Sequence, residues 1–129
     1  MAKSYRDLEI YQISKQLAVE IHAISLTLPK FEMFEEGSQI IRSSKAVTAL
    51  LVEGYGRRRY KADFIKYLIY FQAECDETII HLDFLFETRS LNNAQTYENL
   101  KDRYEQLSKR VNKFITWVEN NFNDFPKSN

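Results

Sequence analysis

The chain has 129 residues, 44% hydrophobic and 28% charged, with 18 basic and 18 acidic side chains that cancel. This length makes one domain that buries roughly two-thirds of its unfolded surface. With 3 Gly and 2 Pro it lacks the turn punctuation of an all-β fold, and its zero net charge argues against a protein that coats nucleic acid nonspecifically.

The N-terminus has no signal-peptide core, and the longest apolar run, Ala49 to Val52, is far too short to cross a membrane. Cys75 is the sole cysteine, which excludes an internal disulfide and fits a reducing compartment. The expectation is a cytoplasmic protein with no membrane partner.

The first helix is expected to start at Asp7 as N-cap, with Ser4 and Asp7 as a competing capping pair. Ile10, Ile13, Leu17, Ile21, Ile24 and Leu28 follow at steps of three and four, which puts them on one stripe, and Pro29 ends the helix. Lys30 to Gly37 is an unusually apolar connection, and Phe31, Met33 and Phe34 are expected to fold back over the bundle end.

The second helix is predicted from about Ser38 to Glu53. Ser43, Ser44, Ala46 and Ala49 suggest a crowded, central position. Gly54 reads as a left-handed C-cap and Gly56 as a second flexible point.

The third helix is predicted from Phe64 to about Phe86. Phe64, Leu68, Phe71, Cys75, Thr78, Leu82 and Leu85 form its heptad-like seam. A second apolar set, Ile65, Ile69, Ala73, Ile80 and Phe84, lies away from that seam, so this helix is expected to be covered on two sides and to form a subunit interface.

Asn92 or Asn93 caps the fourth helix, in which Tyr97, Leu100, Tyr104, Leu107, Val111, Phe114 and Val118 keep an unbroken three-four spacing. Short connections between long helices predict an all-α, up-down-up-down antiparallel four-helix bundle over residues 1–122, with a flexible tail over 123–129.

No catalytic constellation emerges. A di-iron bundle needs Glu-x-x-His on two helices, whereas Val19 and Thr78 precede His22 and His81 by three residues. Glu77 and His81 share a helix face, but two ligands make no metal site. Cys75 sits on the core seam among acidic neighbours, as filler and not as a nucleophile. Gly54-Tyr55-Gly56 lacks the third glycine of a dinucleotide fingerprint. No cofactor, metal or small-molecule substrate is expected.

The functional lead is the basic turn Arg57, Arg58, Arg59 and Lys61, flanked by Tyr55 and Tyr60. Cations complement the end of the second helix, but they oppose the dipole at the start of the third. That conflict points outward, either to an acidic patch on another subunit or to phosphates, with the tyrosines stacking on bases. Glu53, also against its helix dipole, is expected to be a partly buried tether between the second and third helices.

Tyr5-Arg6-Asp7-Leu8, Leu28-Pro29, Gln39 with Arg42, Val52-Glu53-Gly54-Tyr55-Gly56-Arg57, Asp63-Phe64 and Glu77 together resemble the small four-helix-bundle proteins encoded in intervening sequences of large-subunit ribosomal RNA genes. A more distant likeness is to the accessory variability protein of diversity-generating retroelements. The resemblance spans Tyr5 to about Trp117 and departs from the family's usual Ser and Asn at Ala46 and Leu50. It implies a ring-shaped homo-oligomer, a pentamer; for most of the family no biochemical function is established, and an enzymatic one is not implied. The alternative is an RNA- or DNA-binding accessory protein whose ring pools the arginine turns.

Overall fold

In the computed structural model, residues 4–127 are described. They form four α-helices, α1 (Glu9–Ser25), α2 (Glu36–Gly56), α3 (Lys61–Glu87) and α4 (Ala94–Asn121). Short 3₁₀ turns lie at Tyr5–Asp7, Lys30–Phe34 and Phe122–Asp124.

Pairs across each interface run in opposite directions. Ser43 meets Thr78 while Gly54 meets Tyr67 across α2 and α3. Asp83 meets Tyr97 while Phe64 meets Phe114 across α3 and α4, and Glu20 meets Arg103 while Glu9 meets Arg110 across α1 and α4. Ser14 meets Thr48 while Tyr5 meets Tyr55 at the α1–α2 end. Each helix is therefore antiparallel to its neighbours, as short connections require.

The core is the seam expected of α3 with Leu100, Tyr104, Leu107, Val111 and Val118 of the expected α4 stripe, joined by Ile115 where Tyr97 and Phe114 are only partly buried, together with Leu17 and Ile21 of α1 and Ile40, Val47 and Leu51 of α2. Two pairs of small hydroxyls bond between helices, Thr78 donating to Ser43 at 2.9 Å and Thr48 to Ser14 at 3.0 Å, while the buried Ser25 and Ser44 donate to carbonyls of their own helices.

Helix ends depart from expectation in ways that local physics explains. Ser4, not Asp7, caps the chain start: its Oγ accepts from Arg6 N and its own N–H donates to Asp7, a complete capping box on the 3₁₀ turn. Leu8 then precedes α1 without a side-chain cap, and α1 stops at Ser25, three residues before Leu28. In the connection to α2, Phe31 and Phe34 stay exposed, the latter at 79%, while Glu32 is buried. The Glu32 carboxylate accepts from the backbone N–H of Glu36 at the opening of α2 and from the Ser90 hydroxyl, so a polar residue closes this end of the bundle.

Gly54 and Gly56 are both inside α2, and neither has positive φ. Gly54 is needed for room instead: a Cβ there would lie 2.6 Å from Tyr67 Cβ. Ala49, expected in the crowded centre, faces outward. Arg89, just beyond α3, is the left-handed residue at φ 67°.

The tail expected to be flexible packs as far as residue 127. Phe125 is buried and sits edge-on or tilted against Tyr55, Phe64, Phe114 and Trp117. Residues 128 and 129 lie outside the described residues, as do residues 1–3 at the other end.

Candidate functional site

The turn joining α2 to α3 carries the basic run. After Gly56 the chain reverses over Arg57–Tyr60, held by Arg57 N to Gly54 O at 3.0 Å and Arg58 N to Tyr55 O at 3.2 Å. Reversal within so few residues points successive side chains in different directions, so the run divides.

Arg58 turns inward and is 5% exposed. Its Nε donates to the Pro126 carbonyl at 2.7 Å, its Nη1 donates to the Tyr55 carbonyl at 2.8 Å, and its guanidinium lies 3.8 Å from the Tyr55 ring centre. Tyr55 is buried beneath it at 2% exposure. Both residues were expected at an outer surface, and both belong to the interior. Their role is to join the α2 C-terminus to the packed tail, where the guanidinium satisfies carbonyls that a turn leaves unpaired.

Arg57 lies at the C-cap of α2, with ion pairs at 3.7 Å to Glu53 and 3.8 Å to Asp63, and it covers the Tyr67 ring at 5.1 Å. Asp63 occupies the first turn of α3, so the dipole conflict inferred from the cations is answered locally by this carboxylate. Glu53 does link α2 to α3, but from a half-exposed position and through Tyr67, whose hydroxyl is pushed above its ordinary range chiefly by its hydrogen bond to Glu53. Arg59, Tyr60 and Lys61 remain exposed, and among the described residues neither Arg59 nor Lys61 has an ion pair. The turn is thus a narrower cationic ridge than the sequence suggests.

The second feature is the outer face of α3. At 100° per residue, Ile69, Ala73, Ile80 and Phe84 lie opposite the buried seam of Phe64, Leu68, Phe71, Cys75, Leu82 and Leu85. Ile69 and Phe84 are each 50% exposed, with Ile80 and Tyr70 close behind, whereas Ile65 is half-buried against the core. The stripe runs about 22 Å along the helix at 1.5 Å per residue. Glu77 borders it on the α2 side, Asp76 on the α4 side, and Glu87 stands at its C-terminal end.

A third feature went unread in the sequence. An apolar groove of about 530 Å³ lies between α1 and α2, lined by Tyr11, Ala18, Val19, Thr48, Ala49 and Val52, with Lys15, His22 and Lys45 around it. The spacing Tyr11, Lys15, Val19, His22 places these residues on one side of α1, which was the available signal. The dominant stripe of isoleucines obscured it.

Little in the interior supports catalysis. Burial pushes the Cys75 thiol far above its ordinary range, with Asp76 and Glu74 adding to the shift. His81 Nδ1 is 2.6 Å from Glu36 Oε2, which ties α3 to α2. Among the described residues no three His, Cys, Asp or Glu side chains gather as a metal site, and no helix is long and apolar enough to cross a membrane.

Comparison with known proteins gives the family. The sequence profile of the 23S rRNA-intervening sequence proteins matches residues 6–113. The chain is also similar to a solved structure described as a protein with unknown function from the S23 ribosomal protein family of Bacteroides thetaiotaomicron VPI-5482, at 25% identity and a TM-score of 0.71. That match covers 82% of this chain and 97% of the other. No curated protein matches. With the profile covering α1 to α3 and most of α4, and the fold shared, the chain belongs to the 23S rRNA-intervening sequence protein family.

Proposed function

We propose that this protein is a non-enzymatic, cytoplasmic homo-oligomer, an interaction or scaffold module whose copies cover one another through the outer face of α3. The observation that carries this reading is the stripe Ile69, Ala73, Ile80 and Phe84, left exposed opposite a complete core. Burying an aliphatic or aromatic side chain of this size stabilises an assembly by about 1.5–3 kcal/mol, and two exposed apolar pairs on one helix face, Ile69 with Ala73 and Ile80 with Phe84, mark an association surface. Five copies in a ring is the number implied by the family resemblance.

Substituting Ile69 or Phe84 with Glu tests it, because neither supports the core. The expected result is a smaller species with unchanged helix content; an unchanged mass removes α3 from the interface. Ile65 is a poorer probe, since it also packs on the core.

A second reading rests on Tyr60, 64% exposed between exposed Arg59 and Lys61. Repeated around a ring, this ridge would bind single-stranded RNA or DNA by stacking and phosphate contacts. Titration at two salt concentrations decides it: binding that weakens steeply with salt supports the reading, and no binding at low salt eliminates it.

A further inference from the structure

The α3 stripe and the α1–α2 groove are two apolar surfaces on different sides of one bundle, and their charges are opposite. Lys15, His22 and Lys45 surround the groove, and none of its lining residues is acidic. Asp76, Glu77 and Glu87 border the stripe, with Lys66 one turn before Ile69 and Lys109 of α4 in the same surface cleft as Asp76. Their lengths are comparable. Tyr11 to His22 spans about 16 Å along α1 and the stripe about 22 Å along α3, so about four turns of helix would lie along about three turns of groove, with one turn extending beyond it.

Resting on the oligomeric reading above, we propose that the interface is heterologous: the α3 stripe of one copy seats in the α1–α2 groove of the next. Ile69, Ala73, Ile80 and Phe84 supply the inserted face, and Tyr11, Val19, Ala49 and Val52 receive it. Asp76 and Glu77 come opposite Lys15 and Lys45. Head-to-tail pairing of this kind uses both surfaces of every copy and closes into a ring when the rotation between copies permits. A two-fold pairing of stripe on stripe, centred on its middle, instead sets Asp76 and Glu77 against their own counterparts and leaves the groove in water. Like charges so placed disfavour that alternative.

The test uses two blocked full-length chains. One carries Ile69→Glu and Ile80→Glu on the stripe; the other carries Val19→Asp and Ala49→Asp in the groove. All four positions are exposed, and circular dichroism verifies that each chain keeps its helices. Each blocked chain alone is expected to be monomeric. Mixed in equal amounts, they are expected to form a one-to-one heterodimer of twice the 15.3 kDa chain mass, because one intact stripe and one intact groove remain. A groove-blocked chain that stays fully oligomeric, or two monomers that ignore each other on mixing, overturns this pairing while the oligomeric reading stands. A monomeric wild type overturns both.

Charge reversal gives an independent readout. Lys15→Glu with Lys45→Glu is expected to weaken assembly by about tenfold or more, and adding Asp76→Lys with Glu77→Lys to the same chain to restore it. Failure of the second pair to restore assembly contradicts the proposed register.

Discussion

Arg58 reaches from the α2–α3 turn to the carbonyl of Pro126, 68 residues further along the chain, and thereby fastens the C-terminal segment to the end of the bundle. The same side chain donates to Tyr55 O and stacks on the Tyr55 ring, and Phe125 packs on that ring from another side. The exposed neighbour Arg59 has none of these contacts.

Replacing Arg58 with Ala is therefore expected to cost about 2 kcal/mol, since a charge-assisted hydrogen bond contributes about 1.5–3 kcal/mol and the two carbonyls lose their donor. Phe125→Ala is expected to cost about 3 kcal/mol by opening a cavity beside Phe64 and Phe114. The two losses should combine to less than their sum, because they act on one docked segment. Urea denaturation of the single and double variants measures this. Arg59→Ala should stay within about 0.5 kcal/mol of wild type, and an equal loss at 58 and 59 would contradict the inward placement.

Gly54 and Gly56 should answer oppositely to the same substitution. At Gly54 an added methyl meets Tyr67 Cβ at 2.6 Å, which forces α2 and α3 apart, so Gly54→Ala is expected to lose about 1–3 kcal/mol. At Gly56 nothing lies within 4 Å, and the residue is helical. Gly56→Ala should therefore gain about 0.5–1 kcal/mol from restricting the unfolded chain. Thermal melts of the two variants show both effects; matched shifts of one sign would contradict the packing described.

Two carboxylates give stability profiles of opposite slope. Burial, reinforced by neighbouring Glu77, raises the Glu74 carboxyl above its ordinary range, so the folded state holds that proton to higher pH than the unfolded chain. Stability is then lost as pH rises from the ordinary glutamate range through the raised value. Glu74→Gln is expected to raise Tm at pH 7 and to do little near pH 4. Glu20 is the reverse: the Arg103 guanidinium, bonded to both its oxygens at 2.7 and 2.5 Å, holds its pKa down. Its contribution is present above the ordinary glutamate range and is lost as pH falls through the lowered value. Glu20→Gln should lower Tm at pH 7, and the deficit should shrink towards pH 3. Melting curves across this range test both signs.

Much of the architecture is legible in the sequence because α4 and the α3 seam repeat apolar residues at three and four without conflict, and Asn93 caps α4 through Thr96 N as its residue type predicts. The turn was less legible. A run of four cations in a sequence reads as one patch, but a tight reversal separates its members, and only the position of Pro126 explains why Arg58 is inside. A glycine near a helix end likewise has two causes, free φ or close approach, and Tyr67 on another helix decides which applies at Gly54. Burial of Glu32 in place of Phe31 and Phe34 depends on Ser90, 58 residues away. Each of these outcomes turns on a contact distant in sequence, which periodicity does not encode.

The proposed oligomer requires the outer stripe of α3 to be covered by another copy of the chain. Light scattering on the wild-type protein at micromolar concentration measures this directly. The predicted result is one species at a whole multiple of 15.3 kDa, five for the proposed ring; a stable species at 15.3 kDa, independent of concentration, would contradict it.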